Sequence, residues 1–181
     1  MSMREGSVGG ISARVSRISF SGELAFEISV DANYGLALWE TVMEAGQRFD
    51  ITPYGTEAMH VLRAEKGYVI VGQDTDGSVT PYDLGMQWIV SETKDFIGKR
   101  SLSRSDTVRA NRKQLVGLLT KDPAQVLPEG AQLVNAPSEF RPVPMIGQVS
   151  SSYFSTNLGR SIALALVKGG ASRMGSTVYA Q

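Results

Sequence analysis

The strongest constraint on the fold is a change of texture at Gln114. From there the chain is a series of short β-type runs. They are Leu115-Val116-Gly117-Leu118-Leu119, Gln132-Leu133-Val134, Met145-Ile146-Gly147-Gln148-Val149 and Ile162-Ala163-Leu164-Ala165-Leu166-Val167. Gly, Pro, Ser and Asn separate them. Short strands punctuated in this way predict a small antiparallel barrel or sandwich. Upstream, strand and helix patterns are mixed. The expected class is α+β: an α+β part over residues 1–105, then an all-β part over 113–181. There is no internal repeat.

Within the first part, Val15, Ile18 and Phe20 belong to a run rich in β-formers, and Ser21-Gly22-Glu23 reads as a turn. Phe26, Ile28 and Val30 then alternate with Glu27 and Ser29. That period of two turns Glu27 away from the apolar face of its strand. Asp31-Ala32-Asn33 offers capping residues for a helix over 34–49, with Leu38, Trp39, Val42, Met43, Ala45 and Phe49 at helical spacing. Pro53 and Gly55 mark a loop. Thr56 and Glu57 can start a second helix, which Gly67 is well placed to stop. Tyr68-Val69-Ile70-Val71 predicts a short buried strand, and the polar segment after Phe96-Ile97-Gly98 predicts a short helix and linker.

Composition removes several kinds of chemistry. The chain has no cysteine, which excludes disulfides, thiolate catalysis and cysteine-ligated metals in this segment. Its one histidine, His60, excludes a His-rich metal site, and a polar position on a partly exposed helix face is the simpler reading of it. No metal site is expected. Lys plus Arg and Asp plus Glu both number 18, so charge gives no reason to expect nucleic acid or an anionic membrane as partner. No apolar run approaches the roughly 20 residues that span a bilayer, and no signal-peptide pattern opens the chain. The expectation is a cytoplasmic protein. Thr177-Val178-Tyr179-Ala180-Gln181 begins like a strand and stops, which reads as a segment cut from a longer protein.

The succession Ser16-Arg17-Ile18-Ser19-Phe20-Ser21-Gly22-Glu23-Leu24-Ala25-Phe26-Glu27-Ile28 resembles the central hairpin of the glycine-cleavage T-protein family. Leu62-Arg63-Ala64-Glu65-Lys66-Gly67, Gly72-Gln73-Asp74, Thr80-Pro81-Tyr82-Asp83-Leu84-Gly85-Met86 and Phe96-Ile97-Gly98-Lys99 are similar to its later motifs, in the same order. Val116-Gly117-Leu118 and Ile146-Gly147-Gln148-Val149-Ser150-Ser151 resemble the family's C-terminal barrel. The resemblance implies a ferredoxin-like, T-protein-type α+β part ahead of that barrel, which is expected to be truncated. Tyr34-Gly35-Leu36-Ala37-Leu38-Trp39-Glu40, Ile51-Thr52-Pro53-Tyr54-Gly55-Thr56-Glu57 and Gly72-Gln73-Asp74-Thr75-Asp76-Gly77-Ser78-Val79-Thr80-Pro81 look most like alpha subunits of heterotetrameric sarcosine oxidases.

The resemblance implies tetrahydrofolate as the cofactor of this domain. Its pterin ring offers a 2-amino group and an adjacent N–H on one edge, and a carboxylate can accept both in a charge-assisted fork. The resemblance assigns that carboxylate to Glu27; an exposed strand glutamate is the alternative. Phe20 stands where the family commonly has a tyrosine packed on the folate, and Phe keeps the ring face without the hydroxyl; a core phenylalanine is the alternative. Arg63 matches the arginine of the family's helix motif and could pair with Glu27 or contact the folate; a surface residue with a packed stem is the alternative. The aspartate that assists catalysis in T-proteins has no matching position, so no catalytic residue is assigned.

For the parent enzyme, the resemblance implies oxidative demethylation of sarcosine to glycine. The one-carbon fragment passes to tetrahydrofolate, giving 5,10-methylenetetrahydrofolate, or leaves as formaldehyde without it. FAD, FMN and NAD belong to the parent complex and not to this segment, where no G-x-G-x-x-G unit occurs. The implied partners are the beta, gamma and delta subunits. The alternatives are an aminomethyltransferase of the glycine cleavage system, or a non-catalytic subunit-docking domain. A branch of the family linked to iron–sulfur assembly carries a cysteine after Lys-Gly, where this chain has Tyr68.

Overall fold

The computed structural model describes residues 1–181, which divide into two compact units, Met1–Tyr68 and Val69–Gln181. The first unit pairs three antiparallel strands in the order β1-β2-β3: β1 (Met3–Val8), β2 (Ile11–Ser16) and β3 (Glu27–Ser29). Gly9 and Gly10 join β1 to β2 with φ of 56° and 84°. Two successive positive φ values make the tight hairpin turn that matches strand twist, and glycine reaches them without a Cβ clash. The sheet thus begins at Met3, earlier than the sequence pattern indicated. β2 ends at Ser16, so Ile18 and Phe20 fall in an irregular segment, 17–26.

β2 and β3 pair with Ser16 opposite Glu27 and Val15 opposite Ile28. Along β3 the exposure alternates, with Ile28 half-buried and Glu27 and Ser29 exposed. Phe26 lies just before the strand and is exposed, contrary to the expectation that it shares the buried face.

Helix α1 (Gly35–Gly46) is flanked by 3-10 turns at Ala32–Tyr34 and Gln47–Phe49, and together they cover the stretch that the apolar spacing predicts. Leu38, Val42 and Met43 are half-buried, but Trp39 and Phe49 are exposed. Helix α2 (Thr56–Glu65) carries the acidic Glu57 in its first turn, where it complements the helix dipole. Gly67, at φ 71°, ends it: Gly67 N donates to Ala64 O at 3.0 Å and Tyr68 N to Arg63 O at 2.9 Å. Those two bonds are the Schellman arrangement.

The expected strand at 68–71 does not form. Val71 is exposed, and the Ile70 carbonyl accepts from Gln73 N at 3.1 Å and Asp74 N at 2.9 Å. A turn takes the backbone groups that a ladder would have used. Short 3-10 turns at Gln87–Ile89 and Lys99–Ser103 occupy the following segment.

The second unit holds a five-stranded antiparallel sheet, ordered β4-β7-β6-β5-β8. Its strands are β4 (Lys113–Leu119), β5 (Gln132–Val134), β6 (Gly147–Ser155), β7 (Arg160–Lys168) and β8 (Tyr179–Ala180). All four β-runs read from the sequence are present. β7, paired between β4 and β6, is buried from Ser161 through Val167. The core gathers Leu133, Ile146, Val149, Ala163, Ala165 and Val167. By contrast, Ala13 and Ala64 are the buried apolar residues of the first unit. No helix is long and apolar enough to cross a membrane.

Candidate functional site

Segment 17–26 has no regular hydrogen-bond ladder; after the backbone bonds of Arg17 N to Ser2 O and Ile18 N to Ser16 O, side chains fix its course. Gly22 N donates to Ser19 Oγ at 2.9 Å, closing a turn around Phe20 and the buried Ser21. Gly22 has φ of 85°, and a Cβ there would come within 2.6 Å of Lys66 Cγ, so the backbone lies directly on the Lys66 stem. Lys66 Nζ meets Glu23 Oε1 at 2.8 Å. That hydrogen bond and the Glu23 charge raise the Lys66 pKa above its ordinary value.

The Phe20 ring stacks on His60, with centroids 6.2 Å apart and planes at 28°. This lies within the range of favourable aromatic pairs. Phe20 remains 41% exposed, so it is not a core phenylalanine. Leu24 and Phe26, further along the segment, are exposed as well, and the segment ends on the exposed carboxylate of Glu27 at the start of β3.

Arg63 is 0% exposed, and its Nη1 donates to Tyr68 O at 3.0 Å. The guanidinium is therefore an internal group of the first unit, tied to the end of its own helix. His60, Arg63 and Lys66 recur at three-residue steps, a stripe covering about 120° of the helix circumference. Phe20 lies on the first of them, and Gly22 and Glu23 on the last. The sequence points to Phe20, Arg63 and Glu27 and places His60 on a partly exposed helix face, where it is half-buried. The spacing of the stripe was the signal available for it.

An exposed carboxylate beside apolar and aromatic surface has the donor and acceptor chemistry that a pterin edge requires: charge to accept two N–H groups, and a ring face to stack on. The residues present fit that group. Glu27 and Phe20 lie on open surface, whereas Arg63 is enclosed. A cleft of about 370 Å³ in the first unit is lined by Glu5, Arg14, Ser29 and Asp31, and one of about 600 Å³ in the second by residues of β4 and the 175–180 segment. Neither is lined by Phe20, Glu27 or Arg63.

The second unit contains two polar clusters that the sequence motifs did not explain. Asp74 is fully buried; its carboxylate accepts from Ser150 Oγ at 2.5 Å, Ser151 Oγ at 2.7 Å and Ile70 N at 2.8 Å. Asp83, also buried, accepts from Arg112 Nε at 2.8 Å and from Thr80 N and Oγ1, both at 2.8 Å. The Asp74 carboxylate ties the irregular 69–112 segment to β6, and that of Asp83 closes the segment on itself through Arg112, just before β4, so the Gly-Gln-Asp and Thr-Pro-Tyr-Asp motifs are structural anchors here.

Comparison with known proteins accords with this geometry. The family described as GCVT N-terminal domain matches residues 1–94, and the glycine cleavage T-protein C-terminal barrel domain matches 113–181. The chain belongs to the glycine cleavage T-protein family. Among its relatives, the sarcosine oxidase subunit alpha of Corynebacterium sp. strain P-1 is 60% identical, over 93% of this chain and 18% of that protein. The corresponding subunit of Rhizobium meliloti strain 1021 is 40% identical, over 94% and 17%. The aminomethyltransferase of Thermotoga petrophila is 34% identical, over 92% and 43%. The chain thus spans about a fifth of the sarcosine oxidase subunits it matches and under half of the aminomethyltransferases. The crystal structure of glycine cleavage system aminomethyltransferase T from Bartonella henselae superposes with a TM-score of 0.75 at 23% identity, covering 93% of this chain and 45% of that one. That likeness shows a shared T-protein fold: an α+β part followed by a barrel-like antiparallel sheet.

Proposed function

We propose that this chain is the folate-binding portion of a sarcosine oxidase alpha subunit. The observation that carries the reading is the exposed carboxylate of Glu27, standing directly after a segment of exposed apolar side chains. Glu27 accepts from the 2-amino group and adjacent ring N–H of the pterin, which fixes the orientation of the ring. Phe20 lends its open face to the ligand. Arg63, from inside the unit, holds the end of α2 and so the helix on which Phe20 rests. Higher identity to sarcosine oxidase alpha subunits than to aminomethyltransferases supports the oxidase branch over the glycine cleavage alternative.

In the parent enzyme, sarcosine is oxidised to glycine with oxygen as acceptor, in a complex with beta, gamma and delta subunits in the cytoplasm. FAD, FMN and NAD are held outside this segment. Bound tetrahydrofolate supplies the nucleophilic nitrogens that take up the one-carbon unit, yielding 5,10-methylenetetrahydrofolate. The domain contributes orientation and proximity, which turn capture of a reactive fragment into a local event. No residue of this chain is assigned a proton-transfer role.

Titration of the chain with tetrahydrofolate, followed by calorimetry, tests the reading. Saturable binding at one site is expected. A flat titration at millimolar ligand, repeated on the full alpha subunit, contradicts it and leaves the subunit-docking reading.

A further inference from the structure

We infer that His60 is a positioning residue of the proposed folate site: its imidazole supports the Phe20 ring from one side and leaves the other side for the pterin. The inference rests on the folate reading above. Segment 17–26 is irregular, and two of its polar ties, Ser19 to Gly22 and Glu23 to Lys66, hold the backbone on either side of Phe20. The ring contact of Phe20 is with His60, at 6.2 Å between centroids and 28° between planes.

The supporting group is itself well held. His60 is half-buried on α2, one turn before the fully buried Arg63, whose guanidinium is bonded to the Tyr68 carbonyl at the helix end. A ring on a packed helix is a firmer base than a ring on a loop. Phe20 keeps 41% of its surface open although one side is taken by the imidazole. A half-exposed phenylalanine stacked on a helix-borne ring is arranged to receive a second flat group by offset stacking. Without His60, Phe20 would sample other rotamers, and ordering it would be charged against ligand affinity.

The test is a double-mutant cycle on the full chain with tetrahydrofolate as the probe, using His60→Ala, His60→Phe and Phe20→Ala, with melting temperature recorded beside each affinity. His60→Ala is expected to weaken binding about two- to tenfold, the range of an aromatic pair. His60→Phe, which keeps a planar ring, is expected to restore it to within about twofold. In the Phe20→Ala background, His60→Ala should then have no further effect on affinity, although it still changes the melting temperature. Unchanged affinity in His60→Ala, or the same loss with and without Phe20, overturns the positioning role while leaving the folate reading intact. No saturable binding by the unsubstituted chain overturns both.

Discussion

The guanidinium of Arg112 clamps the carboxylate of Asp83 across 29 residues, with Nε 2.8 Å from Oδ1 and Nη2 2.6 Å from Oδ2. Both side chains are nearly enclosed, at 9% and 4% exposure. Nη2 also donates to the Ser78 carbonyl, and Nη1 to Asp106 Oδ2 at 3.3 Å. One arginine at the entry to β4 therefore gathers three points of the 76–106 segment. Burial on its own pushes the Asp83 pKa up; the Arg112 fork and the Thr80 donors outweigh it and hold the carboxyl below its ordinary 3.8. A depressed folded value means that the stabilisation is fully present above the unfolded pKa. It is lost as pH falls through that value toward the folded one. Denaturant unfolding between about pH 5 and pH 2 should show stability falling for the parent chain and a shallower fall for Asp83→Asn. At pH 7, Asp83→Ala should cost about 1–3 kcal/mol, because it removes the fork while the Ser78 carbonyl and Asp106 still partner the guanidinium.

Asp74 is the second anchor. Replacing it with Ala leaves two serine hydroxyls and the Ile70 N–H facing a vacated acceptor position. Loss of a charged acceptor of this kind costs about 1–3 kcal/mol. Urea midpoints should fall accordingly, and amide exchange at Ile70 should accelerate. Asp74→Asn, which keeps one acceptor oxygen, should lose less.

Gly147 opens β6, opposite Val167 of β7. A Cβ there would clash with the Leu166 carbonyl oxygen and come within 3.0 Å of Val167 Cα, both backbone atoms. Backbone in a central strand pair yields little, so Gly147→Ala should destabilise the second unit by about 1–3 kcal/mol, as overpacking does. Thermal unfolding monitored by strand circular dichroism would read it.

The distribution of apolar burial gives a contrast between the units. Leu133 is 1% exposed in the sheet core, and Leu133→Ala should cost about 2–5 kcal/mol. Trp39 on α1 is 54% exposed, and Trp39→Ala should change stability by no more than about 0.5 kcal/mol. Chemical denaturation of the two variants side by side checks both values.

The second unit was the more legible part of the sequence. Its strands are apolar runs bounded by turn residues, and local pattern is enough where a sheet buries both faces, as β7 does. Helix α2 was legible from its ends, since Gly67 fills the one left-handed position that stops it. β1 was missed because Met3-Arg4-Glu5-Gly6-Ser7-Val8 has little alternation to read. It is a largely exposed edge strand, and pairing with β2 defines it. The strand expected at 68–71 was misread because apolar β-branched residues suit a strand locally, while the decisive partner, the Asp74 side chain on Ile70 N, lies four residues on. At the site, the turn of Glu27 to the exposed face followed from alternation. The Phe20–His60 pair did not, because it joins an irregular segment to a helix 40 residues later, and no local pattern records such a contact.

The most direct test of the folate assignment compares Glu27→Gln with the parent chain against two ligands: tetrahydrofolate and an analogue lacking the 2-amino group. A carboxylate forked onto that edge is worth about 1.5–3 kcal/mol, so the substitution should weaken tetrahydrofolate binding roughly 10- to 150-fold. It should weaken the analogue by a smaller factor, because only the ring N–H remains for Glu27 to accept. Equal affinity of both proteins for tetrahydrofolate, or an equal loss for both ligands, would contradict a pterin held at Glu27.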